Sequence, residues 1–214
     1  MTVEGMEEYK ILLEGAEAET ELKKSRFIAH VKAVETEEEA VSFVNSIKKE
    51  FYDARHNPYA YVIGKDGDRV KYSDDGEPAQ TAGLPIYNVL KETKIRNIAI
   101  VVTRYFGGTL LGAGPLARMY GEAAALAVKN SKIGIMKYGI EFTVDTDYSN
   151  GEKVRSYLNK NEIMIVNTDY SESVSFTVRS DFKDFSKIEE DIVSLTASRV
   201  KITKKNEAYF IDKG

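Results

Sequence analysis

The sequence predicts an α+β chain built from two domains. Three observations carry this reading. At 214 residues and 43% hydrophobic side chains, the chain holds enough apolar material for more than one core. Residues 137 to 211 alternate in the order β-α-β-β-α-β, the ferredoxin-like pattern of an antiparallel sheet with both helices on one face. Glycine-rich sequence stops past Lys132, and no proline- or serine-rich linker follows. The expected boundaries are 1–135, opening with an acidic leading segment 1–22, and 136–214.

In the first domain, Arg26 to Val34 alternates as a strand. Thr36 followed by Glu39 forms a capping box that opens a helix burying Ala40, Phe43, Val44 and Ile47. Tyr59 to Ile63 and Arg69 to Tyr72 are joined by Lys65-Asp66-Gly67-Asp68, a hairpin signal. A short helix carrying Leu84, Val89 and Leu90 precedes the buried strand Ile98 to Thr103, a glycine-rich turn and a helix from about Pro115 to Lys129. In the second domain the expected elements are strand Lys137 to Thr146, helix Ser149 to Asn161, strands Ile163 to Asp169 and Ser173 to Arg179, helix Phe182 to Ser198 and strand Val200 to Ile211. Phe185, Ile188, Ile192 and Leu195 mark one face of the last helix. The open sheet face, with Thr143, Asp145, Ser175 and Thr177, is expected to serve a partner or the first domain.

Composition narrows the chemistry. The absence of cysteine excludes disulfides, cysteine nucleophiles, iron-sulfur clusters and thiolate zinc sites. The longest apolar run, Ala123 to Val128, has six residues, and Met1 to Leu22 is acidic, so neither a membrane span nor a signal peptide is expected and the cytosol is the default. Residues 1–22 hold seven glutamates against Lys10, a balance of -6, which reads as a solvated strand or arm. Residues 23–136 hold 17 basic and 13 acidic groups, a balance of +4, which keeps a nucleic-acid partner open.

Three clusters break the ordinary helix and strand rules. The first joins Lys24-Ser25-Arg26 with Asp53-Ala54-Arg55-His56-Asn57; His56 beside the Asn57-Pro58 turn signal is equally a structural hydrogen-bonding residue. The second is Tyr72-Ser73-Asp74-Asp75-Gly76-Glu77-Pro78. Its carboxylates could hold Mg²⁺, pair with arginines, or simply form a turn. The third runs from Arg104-Tyr105-Phe106-Gly107-Gly108 through Gly112-Ala113-Gly114-Pro115 to Arg118. Free N–H groups at a helix start, approached through glycines, make a competent anion site, and Arg118 in the first turn would oppose the helix dipole unless an anion sits there. The alternative is that these glycines only permit close packing, with Arg104 and Arg118 paired to Asp74, Asp75 or Glu77.

These stretches, with Thr81-Ala82-Gly83, Pro85, and Val101-Val102-Thr103 leading into Arg104, together resemble the IMPACT/YigZ family, in order, over roughly residues 20–130. Residues beyond 136 resemble the carboxy-terminal domain of its bacterial branch, itself similar to a ferredoxin-like domain of the translocating elongation factor. One departure is Pro58, near which family members often carry cysteine. The resemblance implies an amino-terminal β-α-β domain of the type shared by a small-subunit ribosomal protein and elongation factors, and eukaryotic relatives that regulate translation. The expectation is a cytosolic nucleic-acid- or ribosome-binding protein, acting on translation without catalysis. RNA, the ribosome or a ribosome-associated protein is the partner, and no cofactor is required. Arg26, Arg55, His56, Arg104, Tyr105, Gly107, Gly108, Gly112, Gly114 and Arg118 are the candidate contacts, with Tyr59, Tyr61, Tyr72 and Phe106 available to stack on bases. Two alternatives stand beside it: a metal-assisted enzyme acting on a phosphorylated small molecule, using Asp74, Asp75 and Glu77, and a purely protein-binding regulator.

Overall fold

The structure, a computed structural model, describes residues 7–212. The chain forms two compact units, residues 9–135 and residues 136–212, the latter including Glu7 and Glu8. Of the acidic leading segment, residues 1–6 lie outside the described residues, as do residues 213 and 214 of the expected second domain.

The first unit holds strands β1 (Tyr9–Glu14), β2 (Glu17–Leu22) and β3 (Ser25–Ala33), helix α1 (Glu37–Glu50), strands β4 (Tyr59–Ile63) and β5 (Arg69–Ser73), helix α2 (Gly83–Thr93), strands β6 (Ile95–Arg96) and β7 (Ile98–Tyr105), and helix α3 (Ala113–Asn130). Its main sheet has the order β2-β3-β7-β4-β5, each neighbour antiparallel. The central strand β7 explains its own sequence. Ile98, Ile100 and Val102 pack with α2 and α3, while Ala99 and Val101 join Ala40, Phe43, Val44 and Ile47 of α1 on the opposite face. A strand covered on both sides reads as a continuous apolar run, not as an alternation. At the start of α1, Thr36 Oγ1 accepts from the Glu39 N–H at 3.2 Å, and the Glu39 carboxylate accepts from the Glu35 N–H at 2.8 Å. The hairpin register is Ile63↔Arg69, as the Asp-Gly turn requires.

The acidic segment is ordered strand where it is described. β2 pairs antiparallel with β3, and β1 pairs in parallel with β6. Alternation places the glutamates of β2 outward and Ala18 inward, so the charge run is one face of an edge strand. Helix α2 buries Ile86, Val89 and Leu90, whereas Leu84 is only half-buried.

The second unit comprises β8 (Lys132–Thr146, whose first residues belong to the first unit), α4 (Tyr148–Lys160), β9 (Met164–Tyr170), β10 (Val174–Asp181), α5 (Phe185–Leu195) and β11 (Val200–Asp212). The order β11-β8-β10-β9, with β10 antiparallel to β8 and β9, is the ferredoxin-like arrangement. Ile140, Phe142 and Val144 of β8 and Val174, Phe176 and Val178 of β10 form one face, covered by Val154 and Leu158 of α4 and by Phe185, Ile188 and Ile192 of α5. Asp147 caps α4 by accepting from the Asn150 N–H at 2.8 Å. The expected helix 182–198 is shorter: Phe182–Asp184 is a 3₁₀ turn, and Leu195, in the last turn, is 39% exposed and off the buried face. On the other face of the sheet Asp145, Ser175 and Thr177 are half-buried and Thr143 is buried, so that face is less open than expected.

The buried and exposed sides of the last turns of α5 should therefore respond differently to truncation. Ile192→Ala is expected to cost about 2–5 kcal/mol. Leu195→Ala should stay within about 1 kcal/mol. Urea unfolding of the two variants checks the assignment.

Candidate functional site

The site grows out of one loop. After β5 the chain reverses through Asp74-Asp75-Gly76-Glu77, where Asp75 and Gly76 take left-handed φ values of 46° and 86° and the Glu77 N–H donates to the Asp74 carbonyl at 3.0 Å. Aspartate and glycine are residue types that tolerate this conformation. The three carboxylates then leave the turn in three directions. Asp74 accepts from the N–H groups of Gln80, Ala82 and Gly83 at 2.8, 2.9 and 2.8 Å, capping α2 from a distance because Ala82 at its N-cap has no side chain to do so. Asp75 accepts from the Asn57 N–H at 2.7 Å and from Lys48. Glu77 turns inward, where Oε1 lies 2.7 Å from Arg104 Nη1 and accepts from the Tyr120 hydroxyl at 2.7 Å.

Arg104, at the end of β7, is only 8% exposed. Its guanidinium lies 5.6 Å from the Phe27 ring centroid and 5.8 Å from that of Phe106. Nη1 is engaged by Glu77, while Nε is buried without a partner. Burial pushes the Tyr120 phenol far above its ordinary value, and the adjacent Glu77 carboxylate pushes it further, so Tyr120 remains a donor and Glu77 an acceptor.

Arg104 also anchors the segment 53–58. Its N–H donates to the His56 carbonyl at 3.0 Å, and Thr103 Oγ1 donates to Asn57 Oδ1 at 2.7 Å. His56 Nδ1 lies 2.9 Å from the Asp75 carbonyl oxygen, which can only accept, so Nδ1 carries a proton and Nε2 is left for other partners. Arg55 is exposed and makes no ion pair among the described residues. Tyr105 donates to Asp53 Oδ1 at 2.7 Å, a bond that raises its phenol above the ordinary value.

The last wall is the loop between β7 and α3. A Cβ on Gly107 would fall 2.2 Å from Lys24 C and 2.3 Å from Ser25 N, and the Gly107 N–H donates to Ser25 Oγ at 3.0 Å. Only glycine permits that approach. Gly112, with φ 77°, is the N-cap of α3 and offers no side chain to the helix end. The first intrahelical bond runs from Leu116 N–H to the Gly112 carbonyl at 3.1 Å, leaving the exposed N–H groups of Ala113 and Gly114 without an intrahelical partner, and of these two residues Ala113 lines the cleft. Residues 53–56, 76–78, 104–106, 110–113 and Leu116 together enclose a cleft of about 820 Å³. Its mouth carries large exposed apolar side chains, Phe106 (53%) and Leu110 (85%).

Comparison with known proteins decides the lineage. The Impact N-terminal domain matches residues 23–128, and a domain of unknown function (DUF1949) matches residues 144–199. The chain is 37% identical to the IMPACT family member YvyE of Bacillus subtilis over 207 residues, 96% of this chain and 94% of that protein. The chain belongs to the IMPACT family. It is also 36% identical to the family member YigZ of Escherichia coli over 160 residues, 74% of this chain and 78% of that one. A crystal structure of a hypothetical protein superposes with a TM-score of 0.61 at 30% identity, covering 95% of this chain and all of that one.

The motifs that this chain shares with the IMPACT family meet at the cleft, but not every candidate residue lines it. Arg55, His56, Glu77, Arg104, Tyr105 and Gly112 line it. Arg26 does not: it forms a two-toothed pair with Glu19 at 2.6 and 2.9 Å and lies over Tyr105. Gly107, Gly108 and Gly114 lie outside the lining, with Gly107 serving the contact to Lys24 and Ser25. Arg118 is a correction. Helix α3 starts at Ala113, not Pro115, so Arg118 falls beyond the first turn, where it pairs with Glu122 at 3.5 Å on the exposed side. Its position therefore calls for no anion. Asp74, Asp75 and Glu77 do not converge; among the described residues no group of three His, Cys, Asp or Glu side chains is placed to hold a metal. Tyr61 is 1% exposed and cannot stack on a base, while Tyr59 stacks on it and Tyr72 stacks on Tyr87. The residues missed were Leu110, Leu111, Ala113 and Leu116. A Leu-Leu pair between glycines, outside any helix or strand, was the signal available for the first two.

Two measurements test this account. In the unfolded chain Tyr120 ionises near pH 10. In the folded chain it keeps its proton, so above that pH the folded state holds one proton more and stability falls with rising pH, by about 1.4 kcal/mol per unit for this group. Tyr120→Phe should flatten the alkaline limb of a stability–pH curve by that slope. Gly107→Ala should cost about 1–3 kcal/mol or more in urea unfolding, because the atoms it meets are backbone.

Proposed function

We propose that this IMPACT family protein is a cytosolic RNA- or ribosome-binding protein that acts on translation, and that the cleft of its first unit is the contact site. One observation carries the reading. Arg55, Arg104, the open start of α3, the half-buried Tyr105 and the exposed ring of Phe106 border a single cleft. Guanidinium groups and a free helix N-terminus suit phosphate oxygens, and an exposed ring beside them suits an unstacked base. A volume of about 820 Å³ is of the size that accepts a nucleotide. The mild +4 balance of residues 23–136 favours a polyanion without forcing a strong one.

The metal-assisted enzyme finds less support. The three carboxylates it would use each accept hydrogen bonds from their own chain.

Arg55 is the residue to test, because it is exposed and no ion pair depends on it. Arg55→Ala should lower affinity for single-stranded RNA at low salt, and reduce the slope of log K against log salt by about 1, without changing the melting temperature. Co-sedimentation with ribosomes should fall in parallel. Absence of RNA binding by the wild-type chain at low salt, together with no ribosome association, would sink the proposal.

A further inference from the structure

The donors in the cleft outnumber what an internal phosphate of an RNA strand can use. The Ala113 N–H points from a helix start that has no cap, Arg55 has no partner, and Arg104 keeps a nitrogen beyond the Nη1 bonded to Glu77. His56 Nε2 also has no partner, since only Nδ1 is bonded. A phosphodiester offers two non-bridging oxygens and one negative charge. A terminal phosphate monoester offers three oxygens and a charge near -2, and so matches the larger donor set.

Shape points the same way. Arg104 is more than nine-tenths buried, its Nε buried with no partner, and four chain segments wall the space in front of it. An internal phosphate needs two exits for its flanking nucleotides, whereas a terminal phosphate needs one. The formal charges of the lining balance, Arg55 and Arg104 against Asp53 and Glu77, with Glu77 paired to Arg104 and Asp53 accepting from the Tyr105 hydroxyl, so recognition here rests on directed donors and not on net charge. At the mouth, Phe106 and Leu110 present apolar surface for the ring system that the phosphate carries.

We propose that the cleft selects a terminal phosphate monoester, borne by the end of an RNA strand or by a free mononucleotide, over an internal phosphodiester. This rests on the cleft being the contact site for RNA, and it adds which phosphate is recognised.

The test uses the full chain and one single-stranded RNA sequence in three forms: a 5′-phosphate, a 3′-phosphate, and hydroxyls at both ends. Binding is measured by anisotropy at constant salt, with AMP and inorganic phosphate as competitors. The expected result is that one phosphorylated end binds about tenfold more tightly than the hydroxyl form, and that AMP competes. Arg55→Ala should collapse the preference. Ala113→Pro should do so as well, because proline at the first helical position removes the N–H while preserving the helix and every charge. Circular dichroism and melting temperature confirm that both variants fold. Equal binding of all three RNAs would overturn the inference and leave RNA binding intact. Binding of AMP but of no RNA, sensitive to Arg55→Ala and Ala113→Pro, would uphold monoester recognition with a free nucleotide as its source and overturn the RNA reading. Failure of AMP and of every RNA to bind would overturn both. Loss of the end preference in Arg55→Ala but not in Ala113→Pro would overturn the role given to the helix start.

Discussion

The first unit depends on one buried carboxylate. Glu77 receives the guanidinium of Arg104 and the hydroxyl of Tyr120 on the same oxygen, and both charged residues are about nine-tenths buried at the wall of the cleft. Taking two charges out of water costs several kcal/mol per ion, and an isolated buried pair often returns no more than that. The additional phenol donor and the aromatic rings of Phe27 and Phe106 around the guanidinium offset part of the cost. What the pair supplies beyond energy is location. It joins the loop after β5, the end of β7 and the middle of α3, three segments that are distant in sequence. Two of those segments, the loop after β5 and the end of β7, are walls of the cleft.

The acid-rich turn shows why a local pattern of carboxylates is a poor guide to their use. Asp74, Asp75 and Glu77 are adjacent in sequence, yet one caps a helix, one ties down the segment 53–58 and one enters the core. Each task needs a strong acceptor, and a cation site needs the same residue type. The sequence therefore left metal ligation, arginine pairing and turn formation all open. The long-range partners Asn57, Gly83 and Arg104 separate them, and none of those is within reach of spacing arguments.

Legibility differed between the two units for a physical reason. In the second, one sheet face is covered by helices and the other is not, so alternation along β8 and β10 and the 3.6-residue stripe on α4 and α5 report the fold directly. In the first, β4 and β7 are covered on both faces, and β2 is an acidic edge strand, so alternation is weak where it matters. The hairpin and α1 were still readable, because Asp-Gly and the Thr36 cap are local signals. The start of α3 was not. Pro115 is an excellent first helical residue, but the backbone enters the helix two residues earlier through Ala113 and Gly114, which have weaker N-terminal signatures. That shift of two residues moved Arg118 out of the first turn and removed it from the site. Arg55, His56 and Arg104 were legible as unusual residues, and their meeting point became visible only through the His56–Arg104 bridge.

The open end of α3 follows from packing at the other end of its loop. Gly107 must sit against the Lys24 and Ser25 backbone, which fixes where the chain leaves β7. To reach the helix from there it passes through Gly112 at φ 77° and ψ 162°, a region that essentially only glycine occupies. A serine or aspartate, the usual source of a capping oxygen, is barred from that position by its own Cβ. The helix thus begins with bare N–H groups because the loop geometry forbids a cap, and Glu77 is already held by Arg104 and Tyr120. Exposed at the wall of the cleft, the Ala113 N–H is satisfied by solvent in the free protein, and any acceptor that enters the cleft takes the place of that water.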